Sequence, residues 1–119
     1  MFAQYDADVA HGSTMVEAFL GGVPKSHAAL YRVASPICHV HGGMPAVWMA
    51  HGTADGVVPV SQSRDMASAL VTAGCDPVYL EARGLGHTAC EIGPDGKPLE
   101  PNKLLFEDDV SRFIVRSLQ

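Results

Sequence analysis

Two short apolar runs separated by a helical pattern constrain this fold more than any other feature. Residues 47–50 (Val-Trp-Met-Ala) and 78–82 (Val-Tyr-Leu-Glu-Ala) have the length and composition of β-strands. Between them, residues 61–73 carry apolar side chains at helical spacing, with Ser61 predicted to cap the helix and Gly74 to end it. A crossover helix nearly always joins two parallel strands. The sequence therefore predicts an α/β fold.

Three further helices are predicted outside this unit. The patterns cover residues 13–20, 26–33 and 104–118. Glycines at 21 and 22 are predicted to end the first helix, and Pro36 to close the second. The third has the most regular apolar stripe, with acidic residues near its start and arginines toward its end, as the helix dipole favours.

One carboxylate and one imidazole follow the two predicted strands. Asp55 lies in a glycine-rich turn after the first strand, and His87 ends the Gly-Leu-Gly-His segment after the second. Parallel neighbours are about 4.8 Å apart, so these loops are expected at one edge of the sheet, where α/β proteins bind ligands. An aspartate can orient a histidine that takes a proton from a serine. In the alternative reading, Asp55 only caps a turn and His87 is an ordinary loop histidine.

The residues around this pair resemble a known family. The segments concerned are residues 35–37 (Ser-Pro-Ile), 51–59 (His-Gly-Thr-Ala-Asp-Gly-Val-Val-Pro), 62–63 (Gln-Ser) and 84–87 (Gly-Leu-Gly-His). From about Phe19 to the end, the chain resembles the carboxyl-terminal part of an α/β-hydrolase. The resemblance is to the esterase branch that shares features with feruloyl and acetylxylan esterases and with prolyl-oligopeptidase-type hydrolases. It implies that Asp55 is the acid and His87 the base of a catalytic triad.

The sequence departs from that family at the nucleophile. Family members carry the serine before the acid, in a Gly-x-Ser-x-Gly turn, and this pattern does not occur here. Ser13 is the nearest approach, but Met15 replaces the second glycine and only about a dozen residues precede the serine. We therefore predict that residues 1–119 are the carboxyl-terminal part of a single α/β-hydrolase domain. This partial fold would hold the last parallel strands, their crossover and the carboxyl-terminal helices, without the nucleophile half.

Two other patterns suggest a metal site and a dinucleotide site. Cys38, His39 and His41 could ligate a metal, but such closely spaced ligands converge poorly on one ion. Residues 84–89 match Gly-x-Gly-x-x-Ala, but the turn residues 93–96 (Gly-Pro-Asp-Gly) interrupt any helix that would bind pyrophosphate. We predict neither a metal nor an organic cofactor.

Composition limits the class of partner. Eight basic residues against thirteen acidic ones give a net charge of −5, and the basic residues are scattered. Nucleic acid requires clustered lysines and arginines, and a membrane span requires an apolar run of about 18 residues. Neither occurs, so we predict no nucleic-acid or membrane partner. The three cysteines lack Cys-x-x-Cys spacing and identify no compartment.

Two functions are compatible with these observations. In the first, the chain is the acid- and histidine-bearing portion of a serine esterase, acts on a small-molecule ester or acyl substrate, and is inactive without a nucleophile-bearing half. In the second, it is a non-catalytic remnant of that fold that serves as a binding module. A two-stranded sheet is marginal alone. Its open edge is therefore expected to favour self-association or a complementing chain.

Overall fold

The computed structural model describes residues 12–87, 94 and 106–118, which belong to two compact units, Met1–Val40 and His41–Gln119. Within those described ranges, no helix has both the length and the apolar character that crossing a membrane requires. The prediction of a single domain over residues 1–119 remains a prediction.

The first unit is helical. It contains helix α1 (Gly12–Leu20), helix α2 (Ala28–Ala34) and a short 3-10 helix (Pro36–His39). Gly21 adopts a φ of 79°, a left-handed conformation that ends α1 as predicted. Pro36 follows the end of α2, also as predicted, and in addition opens the 3-10 helix. Proline suits a first helical position because its φ is already helical and its missing N–H needs no partner there.

The second unit contains the predicted strand-helix-strand arrangement. Strand β1 (Trp48–Gly52) and strand β2 (Val78–Ala82) are parallel, with Trp48 paired with Val78 at one end of the register and Gly52 with Ala82 at the other. Helix α3 (Ser61–Thr72) joins the strands. The predictions of two strands, their parallel direction and the crossover helix are therefore confirmed. Strand β1 extends two residues beyond the apolar run because its pairing with β2 continues through Gly52.

Of the two predictions for the ends of α3, the one for the start is wrong and the one for the finish is confirmed. The prediction that Ser61 caps the helix is wrong, because the backbone of Val60 is already helical (φ −58°, ψ −22°) and Ser61 is the first residue inside the helix. The Val60 carbonyl accepts a hydrogen bond from the Arg64 N–H at 3.2 Å. Gly74, with a φ of 82°, follows the end of the helix as predicted.

Helix α4 (Glu107–Ser117) is the last described element. It begins three residues after the predicted start at 104, and residues 104 and 105 lie outside the described residues. Arg112 lies 3.9 Å from Asp108 one turn earlier, but both side chains are exposed, so the pair stabilises the helix little.

Few of the described apolar side chains of the second unit are deeply buried. Leu70 on α3 is fully buried and Leu85 after β2 is 3 % exposed, whereas Val78 and Leu80 on β2 remain 47 % and 38 % exposed. Among the described residues, β1 pairs with β2 alone and its other edge carries no strand. The unit is thus a small part of an α/β architecture that leaves apolar surface and one strand edge uncovered.

Candidate functional site

Three hydrogen bonds join the loop after β1 to the loop after β2. The Thr53 N–H donates to the Ala82 carbonyl at 3.0 Å, and the Ala54 N–H donates to the Leu85 carbonyl at 2.9 Å. The Gly84 N–H donates to the Thr53 hydroxyl oxygen at 2.9 Å. The loops that leave the carboxyl ends of the two strands therefore form one connected edge.

Gly52 allows the two loops to approach this closely. It is buried at the end of β1, and a Cβ atom at this position would collide with the carbonyl oxygen of Leu85 and lie 2.7 Å from that of Gly86. Because the obstructing atoms belong to the backbone, no side-chain rotation could relieve the overlap. Glycine is the residue that fits where two backbones meet at this distance.

Asp55 and His87 lie in contact across this edge. Nδ1 of His87 is 3.0 Å from Oδ2 of Asp55, while Oδ1 of Asp55 accepts the N–H groups of Val57 at 2.8 Å and Val58 at 2.9 Å. The Asp55 side chain is 5 % exposed and the His87 side chain 51 % exposed. The structure thus brings together the two residues singled out in the sequence, although their catalytic roles remain a prediction.

The contact determines which nitrogen of His87 carries the proton. A carboxylate only accepts hydrogen bonds, so Nδ1 of His87 is the donor and, in the neutral ring, Nε2 is unprotonated. That nitrogen belongs to a half-exposed side chain. His87 is therefore oriented to accept a proton at Nε2 while Asp55 holds the opposite side of the ring.

Hydrogen bonds keep Asp55 ionised despite its burial. Burial alone would raise the pKa of Asp55, but hydrogen bonds from the Val58 N–H, His87 and the Val57 N–H outweigh it and lower the pKa below its ordinary value of 3.8. Hydrogen bonds donated to a carboxylate favour its charged form. The site therefore contains a fixed negative charge next to His87 at neutral pH.

A second histidine, His51, lies against the same carboxylate. Its Nε2 is 3.1 Å from Oδ2 of Asp55 and 2.9 Å from the carbonyl oxygen of Val58. Its Nδ1 is 2.6 Å from the hydroxyl oxygen of Ser63 on α3. The sequence analysis assigned no role to His51 or Ser63. The available signal was a histidine at the end of an apolar strand, four residues before the aspartate.

A cavity of about 230 Å³ opens beside the Asp55–His87 pair. Its lining residues are Ala50, His51, Gly52, Asp55, Val58, Gly86, His87 and Phe106. Phe106 packs edge to face against Trp48 on β1, with ring centroids 5.8 Å apart and an interplanar angle of 67°. An apolar wall therefore lies next to the polar pair. The sequence analysis placed Phe106 in a helix stripe and did not identify it as part of a site.

The other residues considered in the sequence lie elsewhere. Ser13 lies in α1, and Cys38 and His39 lie on the 3-10 helix of the first unit with exposed side chains. His41, also exposed, contacts the carbonyl oxygen of Gly42 at 2.8 Å. In the part of the chain that the structure describes, no three histidine, cysteine or acidic side chains are grouped to hold a metal ion. For the dinucleotide pattern, residues 88 and 89 lie outside the described residues.

The two parallel strands and their crossover helix form part of an α/β-hydrolase fold. Two similar solved structures are esterases, which supports the same fold. The chain belongs to the BD-FAE family, whose family model matches residues 2–70. The resemblance stated from the sequence is confirmed at the level of an esterase of the α/β-hydrolase class.

Three relatives illustrate the similarity. Esterase LipQ of Mycobacterium tuberculosis is 41 % identical over 59 residues, which cover 49 % of this chain and 14 % of LipQ. A truncated form of a carbohydrate esterase from gut microbiota is 26 % identical with a TM-score of 0.64, over 82 % of this chain and 31 % of that one. Thermogutta terrifontis esterase 2, in a form phosphorylated by paraoxon, is 26 % identical with a TM-score of 0.59, over 71 % and 32 %. The chain thus spans about a third or less of each relative.

Proposed function

We propose that this chain supplies the acid, Asp55, and the base, His87, of a serine esterase that cleaves small-molecule esters. The observation that carries the proposal is the 3.0 Å contact between Nδ1 of His87 and Oδ2 of Asp55, across two parallel strands. The adjoining cavity, which His87 lines, offers apolar surface where an ester could lie.

The chemistry follows from the protonation states of the pair. Nε2 of His87 takes the proton of a serine hydroxyl as the serine oxygen attacks the ester carbonyl, and the ring then donates that proton to the departing alcohol. Asp55 remains ionised throughout and stabilises the protonated ring. Water then attacks the acyl group on the serine with the same proton transfers through His87, which releases the carboxylic acid and restores the serine.

The proposal assigns the nucleophile and the oxyanion hole to polypeptide other than these 119 residues. Three observations support this assignment. The Gly-x-Ser-x-Gly pattern is absent from the sequence, the chain matches 31–32 % of two solved esterases, and the described sheet has an uncovered edge on β1. Without the nucleophile half, the chain alone is expected to be inactive.

The similarity to Thermogutta terrifontis esterase 2 supports a covalent mechanism. That esterase is phosphorylated by paraoxon, and phosphorylation by an organophosphate is the reaction expected when an activated nucleophile attacks phosphorus. For the present chain, this favours an acid–base pair that activates a nucleophile rather than one that binds a metal.

The experiment is a segment exchange. The matching carboxyl-terminal region of Thermogutta terrifontis esterase 2 is replaced by this chain, and hydrolysis of p-nitrophenyl acetate and butyrate is measured. Activity is expected in the chimera, with Asp55→Asn and His87→Ala each lowering kcat by about 10⁴-fold. His41→Ala serves as the matched control, because it removes an exposed histidine outside the site. An active chimera that tolerates both Asp55→Asn and His87→Ala would refute the proposal.

The second candidate function is a non-catalytic interaction module. The observation that favours it is the uncovered apolar surface, which includes the open edge of β1 and exposed residues on β2. Binding through that surface would persist in Asp55→Asn and His87→Ala. The esterase proposal is distinguished from it by activity that depends on those two residues.

A further inference from the structure

His51 connects helix α3 to the loop that holds Asp55. Nδ1 of its ring is 2.6 Å from the Ser63 hydroxyl oxygen on α3. On the other side of the ring, Nε2 is 2.9 Å from the Val58 carbonyl and 3.1 Å from the Asp55 carboxylate. Val58 also donates its N–H to Oδ1 of Asp55 at 2.9 Å. The His51 imidazole, the Val58 backbone and the Asp55 carboxylate therefore each contact the other two.

The partners of His51 determine its tautomer. A carbonyl and a carboxylate only accept hydrogen bonds, so the Nε2 atom that faces both must carry a proton. In the neutral ring Nδ1 then has no proton, and the Ser63 hydroxyl is the group that donates to it. The His51 side chain is 9 % exposed, so water competes little for either nitrogen.

Both histidines meet the same oxygen of Asp55. His87 and His51 lie 3.0 Å and 3.1 Å from Oδ2, and the Asp55 side chain is 5 % exposed. The N–H groups of Val57 and Val58 on Oδ1 limit rotation of the carboxylate, and His51 is a second neighbour of Oδ2 beside His87. The direction from which His87 meets the carboxylate therefore depends on where His51 is held.

We propose that Ser63 and His51 are positioning residues: Ser63 holds the ring of His51 in place through its Nδ1 atom, and His51 holds the Asp55 carboxylate in the rotamer that binds Nδ1 of His87. This inference rests on the proposed function, since it assigns these residues to the acid of that site. It adds a support of polar contacts that runs from α3 through His51 to Asp55 and His87.

The same contacts also resemble a second serine–histidine–aspartate relay, with Ser63 in the position of a nucleophile. The geometry favours positioning instead. The best-directed acceptor of the His51 Nε2 proton is the Val58 carbonyl, and the ring is nearly excluded from solvent. A fluorophosphonate probe distinguishes the two, because labelling of Ser63 would contradict a positioning role.

The test is nitrogen-15 NMR of histidine side chains in the 119-residue chain at pH 8. In the unsubstituted chain, His51 is expected as a single Nε2–H tautomer, and the Nδ1 proton of His87 is expected to exchange slowly with water. Ser63→Ala removes the hydrogen bond to Nδ1 of His51 and is expected to shift the Nδ1 resonance of that ring and to give about tenfold faster exchange of the His87 proton. Ser63→Thr, which keeps the hydroxyl, is expected to restore both signals.

Arg64→Gln is the matched control. It lies next to Ser63 on α3 and removes a different link to the sheet, the bidentate pair with Glu81 at 2.6 Å and 2.8 Å. It is expected to leave both histidine signals unchanged. Urea midpoints of all variants separate a local effect from a general loss of stability. If the Ser63→Ala effect on the His87 proton is no larger than in Arg64→Gln at equal stability, Ser63 is merely structural and the inference is wrong.

The proposed function and this inference fail in different experiments. Unchanged exchange of the His87 Nδ1 proton in Ser63→Ala would overturn the positioning role, whatever the activity of the chimera. In the active chimera, Ser63→Ala is expected to lower kcat with little change in KM, because it perturbs the acid rather than the bound substrate. A change in KM alone would also overturn it.

Discussion

Replacing Gly52 with alanine tests how closely the two site loops approach. A Cβ atom there would collide with the Leu85 carbonyl oxygen and lie 2.7 Å from the Gly86 carbonyl oxygen. Carbon and carbonyl oxygen ordinarily meet at about 3.3 Å, so the loop that carries His87 must move by about 0.6 Å at Gly86 and by more at Leu85, whose oxygen is closer. Such a shift opens the edge on which the Asp55–His87 contact depends.

The magnitude follows from two contributions. Inserting a methyl group where the surroundings cannot relax costs about 1–3 kcal/mol. The shift also weakens the 2.9 Å hydrogen bond from the Ala54 N–H to the Leu85 carbonyl, which contributes about 0.5–1.5 kcal/mol. We therefore expect Gly52→Ala to lower the free energy of unfolding by about 2–4 kcal/mol, a large share of the ~5–15 kcal/mol typical of native proteins.

The assay is urea unfolding followed by fluorescence of Trp48, the one tryptophan of the sequence, which lies in β1. Gly56→Ala is the matched control, because it adds the same methyl group in the same loop with no atom within 4 Å. The control is expected to change the free energy of unfolding by less than about 0.5 kcal/mol. Equal urea midpoints for Gly52→Ala and Gly56→Ala would refute the close approach of the loops.

Three further predictions concern acid, surface charge and association. Hydrogen bonds lower the pKa of Asp55. The stability that ionised Asp55 gives the fold is therefore complete above the ordinary aspartate pKa of about 3.9 and is lost as the pH falls through the pKa of the folded state. Circular dichroism should show a shallower acid transition in Asp55→Asn. The hydrogen bond from Arg64 lowers the pKa of Glu81 to about 2. Glu81→Gln is therefore expected to reduce stability modestly above pH 4.5, and to have less effect as the pH approaches 2 and in high salt. Urea midpoints across pH and salt measure this effect, and an unchanged midpoint at neutral pH and low salt would contradict it. Because no strand covers the second edge of β1 among the described residues, the isolated chain is expected to associate in sedimentation, or to show a transition in thermal unfolding that broadens on dilution. A sharp, concentration-independent monomeric transition would be the contrary result.

The strand-helix-strand arrangement of the second unit was predictable because each element depends on residues that are close together in the sequence. The apolar runs at 47–50 and 78–82 correspond to β1 and β2, and Gly74 ends α3 in the left-handed conformation expected of glycine. Parallel pairing follows from the crossover. Parallel pairing brings Asp55 and His87 to one edge of the sheet. The positions of the two residues after the predicted strands therefore indicated a contact across 32 positions.

The features that sequence reasoning missed depend on contacts between elements. His51 meets Ser63 only because α3 lies against β1, and no local pattern expresses that packing. The predicted Ser61 cap was wrong because the turn at Val60 had already become helical. Position 52 requires glycine because the backbone of another loop approaches it closely. The residues next to Gly52 in the sequence do not indicate that approach.

The most direct measurement of the central claim is fluorophosphonate labelling, located by mass spectrometry, in the isolated chain and in the esterase chimera. If Asp55 and His87 serve a serine from another segment, no serine of the 119 residues is labelled, the chimera is labelled at its supplied Gly-x-Ser-x-Gly serine, and His87→Ala slows that labelling by several orders of magnitude. A labelled serine within the isolated chain, or labelling of the chimera that is indifferent to His87→Ala, would contradict the account.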